Sequence, residues 1–297
     1  MIQDIDLFGR PTKRFYSNLA VYASDTSQKT KLQELGDSSG AVEFRARAAE
    51  CVTIAEVLEE FISAKLTPNE LVQLIGPIKP RHYSIASSMN AHPDSVHLLV
   101  VDHTWETPSG KLRKGQCTRY LQSLREGAVL SVSVKPSVMK LPEDHKTPIV
   151  MSGLGTGMAP FRAFIQERVF QAQQGVDIGE MVLYFGSRSS KQEYLYGEEL
   201  EAYLASGMLT HMGLAFSRDQ QKKVYIQHKI SEDSELLWRL LKVKNGNFYL
   251  CGPTWPAGDV QSAITHIFAT EGDTSNQKAE TEIVNMKAQE RYILEVY

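Results

Sequence analysis

One stretch constrains this chain more than any other. Between Ile149 and Pro160 an apolar run passes into a turn carrying Gly153, Gly155 and Gly157, and Pro160 then opens a helix. Glycine permits positive φ and close approach of a diphosphate, while the free amides and positive end of the following helix attract its charge. The segment is not a Walker loop, since GxxxxGK is absent. It is not the GxGxxG dinucleotide fingerprint either, because the residue three after Gly155 is Met158. Alone, such a turn could equally be tight packing between a strand and a helix. Its place at the head of an alternating pattern favours nucleotide binding. The apolar runs Ile149–Ser152, Met181–Phe185, His211–Phe216 and Phe248–Cys251 alternate with helical stretches after Pro160, Gly197, Asp233 and Ala257. That rhythm predicts a doubly wound parallel sheet with helices on both faces and ligands at the carboxyl ends of its strands.

Upstream the pattern differs. Thr53-Ile-Ala-Glu56 and Thr67-Pro-Asn-Glu70 are capping boxes, which predict two short helices. The first carries Val57, Leu58, Phe61 and Ile62 on one face, and the second runs through Leu71, Val72 and Leu74 to a stop at Gly76-Pro77. Ser24 to Asp37 reads as a polar connection. From Arg81 to Pro136 the signal turns to strand, with Tyr83–Ala86, Val96–Val101 and Val129–Val134 rich in β-branched residues, which predicts a small antiparallel sheet or barrel. One helix, Cys117 to Leu124, interrupts it after Gly115. The charged, Pro-bearing stretch from Lys140 to Pro148 reads as a domain boundary.

Composition removes several classes of function. Of 297 residues, 32 are Lys or Arg and 35 are Asp or Glu, a formal charge of -3, so no global field exists to hold nucleic acid or an anionic membrane. Apolar runs such as His97–Val101 are far shorter than the roughly 20 residues of a membrane span, and no signal pattern opens the chain. Cys51, Cys117 and Cys251 form no CxxC pair, which argues against a disulfide framework or a four-thiolate zinc site and for a reducing, cytoplasmic setting. His92, His97, His103, His211 and His228 lack metal-ligand spacing and read as structural; no metal is expected.

A nucleotide at the glycine turn must also be told apart by its ribose. The next strand ends in Phe185-Gly-Ser-Arg188 without the acidic residue that would hold a free 2′-hydroxyl. Ser217-Arg218 and then Lys222 and Lys223 follow the third strand. Arg218 and Lys223 could bracket a 2′-phosphate, with Ser217, Tyr225 and Gln227 as neutral donors or a stacking face for adenine, which favours NADP over NAD.

Taken in order, Arg81-His-Tyr-Ser84, Gly115-Gln-Cys-Thr118, the Gly153–Pro160 turn, Ser217-Arg218 with Lys223-Val-Tyr-Ile-Gln227, and Tyr249-Leu-Cys-Gly252 resemble the motifs of the ferredoxin:NADP reductase superfamily, in its diflavin reductase branch. Asp6–Phe15 resembles the start of a helical stretch in the connecting domain of that branch, so the likeness covers essentially the whole chain. Arg291–Tyr297 and Gly252-Pro-Thr-Trp-Pro256 most resemble the flavoproteins of NADPH:sulfite reductases, and the reductase module of pyruvate:NADP oxidoreductases is built from similar parts. The resemblance implies a helical connecting segment over 1–76, an incomplete antiparallel β-barrel FAD domain over 77–144 and an NADPH-binding α/β domain over 145–297.

It also implies roles. Arg81 would pair with the FAD diphosphate, Tyr83 would lie against the isoalloxazine and Ser84 would approach flavin N5. Gly115, Gln116, Cys117 and Thr118 would offer amides and a hydroxyl to the same diphosphate, while Leu99 and Val101 match backbone contacts to the flavin and Trp105 a stacking position near adenine. Thr156 and Arg188 match contacts to the NADPH diphosphate beside Gly155 and Gly157. Ser84, Cys251 and Glu295 match a polar triad around nicotinamide C4 and flavin N5, with Glu in place of the more usual Asp, and Tyr297 matches a terminal aromatic over the isoalloxazine that nicotinamide must displace.

The family's FMN-binding domain and its opening barrel strands are not found in the chain, so FMN is expected on another domain, with a haem and iron–sulfur sulfite reductase subunit as partner. The alternative from another class is a non-catalytic NADPH-binding fragment.

Overall fold

The structure is a computed structural model that describes Asp4–Tyr297; the first three residues of the helical segment expected over 1–76 lie outside the described residues. Among the described residues it divides into two compact units, 4–82 with Val101–Leu130, and Tyr83–Val100 with Ser131–Tyr297.

The first unit runs through helices α1 (Lys13–Leu19), α2 (Thr26–Gly36), α3 (Ala41–Ala49), α4 (Ile54–Glu60) and α5 (Pro68–Leu74), then strands β1 (Thr104–Glu106) and β2 (Leu112–Lys114), then α6 (Gln116–Ser123). Both capping boxes form: the Thr53 and Thr67 hydroxyls accept third-residue amides, and Glu56 and Glu70 reach back to the cap amides. The reading of Ser24 to Asp37 as a polar connection is corrected. Asp25 caps α2 by accepting the Gln28 amide at 2.8 Å, and Leu32 and Leu35 sit fully buried beside Tyr16, Leu19 and Val57. Two apolar residues on a charged helix suffice for docking when they lie three apart. Ile62, expected on the apolar face of α4, lies past its end and is 70% exposed.

The strands expected over Tyr83–Ala86, Val96–Val101 and Val129–Val134 do not form ladders. Ile85 and Leu98 make one antiparallel bridge, and Val129, Val132 and Val134 are 94%, 81% and 77% exposed. A β-branched run needs a hydrogen-bonding neighbour to become a strand, and these have no ladder partner among the described residues. The antiparallel sheet of this half is instead the hairpin β1–β2, paired from Thr104↔Lys114 to Glu106↔Leu112. Two carboxylates fasten it to the helices. Glu50 accepts the Ser109 amide at 2.9 Å, and Glu56 takes Arg113 through two bonds of 3.0 and 2.9 Å. Burial alone would raise the Glu56 carboxyl, but Arg113 and Lys111 hold it well below the usual range.

In the second unit the predicted alternation appears as β3 (Ile149–Leu154), α7 (Met158–Gln173), β4 (Met181–Ser187), α8 (Ser190–Glu193), α9 (Gly197–Ala205) and β5 (His211–Phe216). It continues through α10 (Ile226–Glu232), α11 (Ser234–Trp238), β6 (Asn247–Gly252), α12 (Ala257–Glu271), α13 (Asn276–Ala288) and β7 (Tyr292–Val296). All five strands are parallel, in the order β5-β4-β3-β6-β7. Alternate residues feed two cores. Val150, Val182, Tyr184, Phe248 and Leu250 pack against α10 to α13, while Met151, Leu183, Phe185, Tyr249 and Cys251 pack against α7 and α9. The doubly wound sheet expected from the apolar runs is therefore the observed one. Strand β7 and helices α10 and α13 are not singled out by the sequence pattern. No helix among the described residues is long and apolar enough to cross a membrane.

Candidate functional site

In a parallel sheet every strand ends on the same edge, and here that edge gathers the residues expected to meet NADPH. The order of the strands reverses between β3 and β6, which opens a crevice at their carboxyl ends. The glycine turn leaves β3 at this point as a short 3-10 turn, Gly155–Gly157, leading straight into α7. Two of its glycines have distinct physical reasons. Gly155 has φ +55°, a backbone state that side chains disfavour. A Cβ on Gly157 would lie 2.0 Å from the Cys251 carbonyl oxygen, so this glycine lets the turn seat on the end of β6. No side chain caps the start of either the turn or α7.

Across the crevice, Cys251 on β6 and Glu295 on β7 are Cα partners in the ladder. Cys251 is fully buried, and burial, with the Glu295 carboxylate adding to it, pushes its thiol up to about 12. It is a neutral, inert thiol at working pH. Glu295 accepts a bond of 2.7 Å from the Ser137 hydroxyl. Tyr297 is fixed by its backbone: its amide donates to the Gly252 carbonyl at 3.1 Å, and its own carbonyl accepts from the Thr254 amide at 3.2 Å. The residue is 64% exposed, and its hydroxyl shares a hydrogen bond of 2.5 Å with Thr156 on the glycine turn. Burial raises the Tyr297 phenol above its ordinary value, and the bond to Thr156 works against that.

Arg188 follows β4, and its Nε donates to Glu193 at 2.7 Å. Burial would raise the Glu193 carboxyl, but Arg188 and Ser187 outweigh it and hold the group at about 2. The Ser217 and Arg218 amides extend the β4–β5 ladder onto the Ser187 and Arg188 carbonyls at 3.0 and 2.8 Å. Arg218, Lys222 and Lys223 are exposed and have no carboxylate partner among the described residues. Tyr225 meets the exposed Trp255 edge-on, with ring centroids 6.0 Å apart. Gln227 donates to Asp259 at 3.3 Å, and its buried Oε1 has no partner. An open basic pair beside an aromatic face and an unsatisfied amide oxygen suits an adenosine carrying an extra phosphate.

The residues expected at the FAD diphosphate lie together in the first unit. Arg81 Nη2 donates to Gln116 Oε1 at 2.8 Å, and Gln116 Nε2 donates to Asp6 at 3.2 Å, across 35 and 110 residues of chain. Gly115 precedes α6, no side chain caps that helix, and the Thr118 hydroxyl donates to the Gly115 carbonyl at 3.2 Å. Cys117 is half-buried, Val101 is exposed, and Trp105 on β1 stacks on His103 with centroids 4.7 Å apart. A fixed guanidinium fork next to an uncapped helix start fits a diphosphate. In the second unit Tyr83 and Ser84 are half-buried and Leu99 packs at the margin of the core that holds Cys251.

Glu193, Ser137, Thr254 and Asp259 are not marked by the sequence as site residues. Each acts by bonding a residue that is, and a lone polar residue in a loop or helix carries no motif. Among the described residues no group of three His, Cys, Asp or Glu could hold a metal. His211 pairs with Asp233 at 2.7 Å, His97 lies 3.2 Å from Arg162, and His228 accepts the Tyr225 amide.

Two family models match the chain, the FAD binding domain over residues 1–120 and the oxidoreductase NAD-binding domain over 151–261. The chain belongs to the FAD- and NADP-binding oxidoreductases of the diflavin reductase branch. It is 48% identical, over all of its length, to the sulfite reductase [NADPH] flavoprotein component of Saccharomyces cerevisiae, and 46% identical to the probable counterpart in Schizosaccharomyces pombe. Against the mitochondrial pyruvate dehydrogenase [NADP(+)] of Euglena gracilis the identity is 37% over 99% of the chain. The chain spans 29% and 30% of the two sulfite reductase flavoproteins and 16% of the Euglena protein.

Proposed function

We propose that this chain accepts hydride from NADPH onto FAD and passes electrons onward, by way of an FMN domain, to a haem and iron–sulfur subunit of sulfite reductase in the cytoplasm. The observation that carries the reading is the convergence on one sheet edge of Gly155–Gly157, Arg188, Ser217–Arg218, Cys251, Glu295 and Tyr297. The sulfite reductase acceptor rests on the relatives at 48% and 46% identity.

The protein's part is placement and charge. Arg218 and Lys223 grip the 2′-phosphate, and Tyr225 offers a face to adenine. The amides of the glycine turn, the Thr156 hydroxyl and Arg188 take the NADPH diphosphate; Arg188 leaves Glu193 for the phosphate oxygens or bridges both. Arg81, Gln116 and Thr118, with the start of α6, hold the FAD diphosphate, and Val101 and Leu99 lend backbone contacts. Tyr83 packs on the isoalloxazine, Ser84 offers a hydroxyl near N5, and Trp105 lies by the flavin adenine. Bound FAD supplies an acceptor that takes two electrons together and releases them singly. Cys251, neutral and buried, shapes the nicotinamide end of the crevice. The Glu295 carboxylate offsets the positive charge that develops on nicotinamide as hydride leaves. Tyr297 covers the flavin face until nicotinamide displaces it.

Replacing Arg218 and Lys223 together by Ala is expected to raise the KM for NADPH by about two orders of magnitude, at 1.4 kcal/mol per tenfold for two charge-assisted contacts, with little change for NADH. Steady-state ferricyanide reduction with each nucleotide reads this directly. Equal losses for the two nucleotides contradict the assignment.

A further inference from the structure

Glu295 is held by a residue that no motif marks. The Ser137 hydroxyl donates to Glu295 Oε2 at 2.7 Å and accepts the Met139 amide at 2.9 Å. A serine hydroxyl has a single proton, and with the amide on its oxygen that proton is directed at the carboxylate. The segment bearing Ser137 is itself anchored. Met139 is 8% exposed, in the same core as Tyr249 and Cys251, and the Tyr249 hydroxyl donates to the Lys140 carbonyl at 2.7 Å. The ladder register sets Glu295 opposite Cys251, and paired residues of adjacent strands project to the same face. The register fixes where the Glu295 backbone lies but leaves its three side-chain torsions free. A bond to an anchored hydroxyl restricts them.

We propose that Ser137 is a positioning residue of the hydride-transfer site: it holds the Glu295 carboxylate beside Cys251, where that carboxylate meets the charge developing on nicotinamide. This rests on the role given to Glu295 above. Its bonds are to Glu295 and to the Met139 amide, and its part in the reaction is through the orientation of Glu295.

The test uses the full chain carrying FAD, as wild type, Ser137→Ala, Ser137→Thr, Glu295→Gln and the Ser137→Ala/Glu295→Gln double variant. At saturating NADPH, Ser137→Ala is expected to slow flavin reduction about tenfold or more, the loss of one hydrogen bond to a charged group, with KM within about twofold. Ser137→Thr restores most of the rate, and Ser137→Ala adds no loss on the Glu295→Gln background. A readout free of turnover comes from crystals of the FAD-free chain: Glu295 takes one rotamer in wild type and Ser137→Thr, and several in Ser137→Ala. An unchanged rate in Ser137→Ala, a loss confined to KM, an additive double variant or a single Glu295 rotamer in Ser137→Ala each overturns the proposal. If Glu295→Gln is slow while Ser137→Ala is normal, only this inference falls. If Glu295→Gln keeps the wild-type rate, the role of Glu295 falls and this inference with it.

Discussion

The backbone of Tyr297 is tied to Gly252 and Thr254, so its ring can be displaced only by turning about the side-chain torsions; the residue is mostly exposed and its hydroxyl engages Thr156. On the proposed reading the Thr156 hydroxyl also meets the NADPH diphosphate, and the nucleotide and the ring would then compete for it. Removing Tyr297 is expected to raise kcat/KM for NADH about two- to twelvefold, since an aromatic stacking contact of about 0.5–1.5 kcal/mol no longer has to be displaced. Comparing NADH and NADPH oxidation in the truncated and full chains measures it, and an unchanged preference contradicts the gate. The ring's terminal position is readable in the sequence; its bond to Thr156 is not, because the two lie 141 residues apart and the β3–β6 and β6–β7 pairings together bring them near.

Among the elements, β6 carries two buried titratable groups. All six of its residues are buried, and Tyr249 and Cys251 lie on the same face, each pushed by burial up to about 12. An acid whose proton is held more tightly in the folded state contributes stability that is present below its unfolded value and lost as pH rises through the folded one. The sheet of the second unit is therefore expected to weaken between about pH 9 and 12. The loss approaches about 1.36 kcal/mol per pH unit for each group that is ionised when unfolded and still protonated when folded. Tyr249→Phe, which gives up the bond to the Lys140 carbonyl, flattens this alkaline limb while lowering stability near neutrality. Urea unfolding midpoints across that range give both effects. A midpoint independent of pH up to 12 contradicts the burial of both groups. The strand itself is legible, since Phe248–Cys251 is a short apolar run in a βα rhythm. Helix α13 is not, because its buried face is only Ala279, Ile283 and Met286 amid charged residues. Strand β7 reads in the sequence as an ending, although Tyr292-Ile-Leu-Glu-Val296 has the β-rich composition that completes the sheet.

At the level of the whole chain, sequence pattern serves the two halves unequally. A parallel sheet buried on both faces writes itself as continuous apolar runs, and the four such runs are four of the five strands observed. The antiparallel half depends on pairing, which composition does not encode: valine-rich segments at 96–101 and 129–134 remain without ladders, while the modest Thr104-Trp-Glu106 and Leu112-Arg-Lys114 pair. The proposed site residues follow the same division. The glycine turn and the basic cluster are visible because local spacing defines them, whereas Ser137, Glu193 and Asp259 are recognised only by the partners they bond. The central proposal is that hydride passes from NADPH to a flavin held by this chain. Anaerobic stopped-flow mixing of the FAD-loaded protein with NADPH deuterated on the transferred side of C4 tests it most directly. The visible flavin band is predicted to bleach in a single turnover, more slowly with deuterium than with hydrogen. A chain that stays colourless in excess FAD, or a bound flavin that NADPH does not bleach, contradicts it.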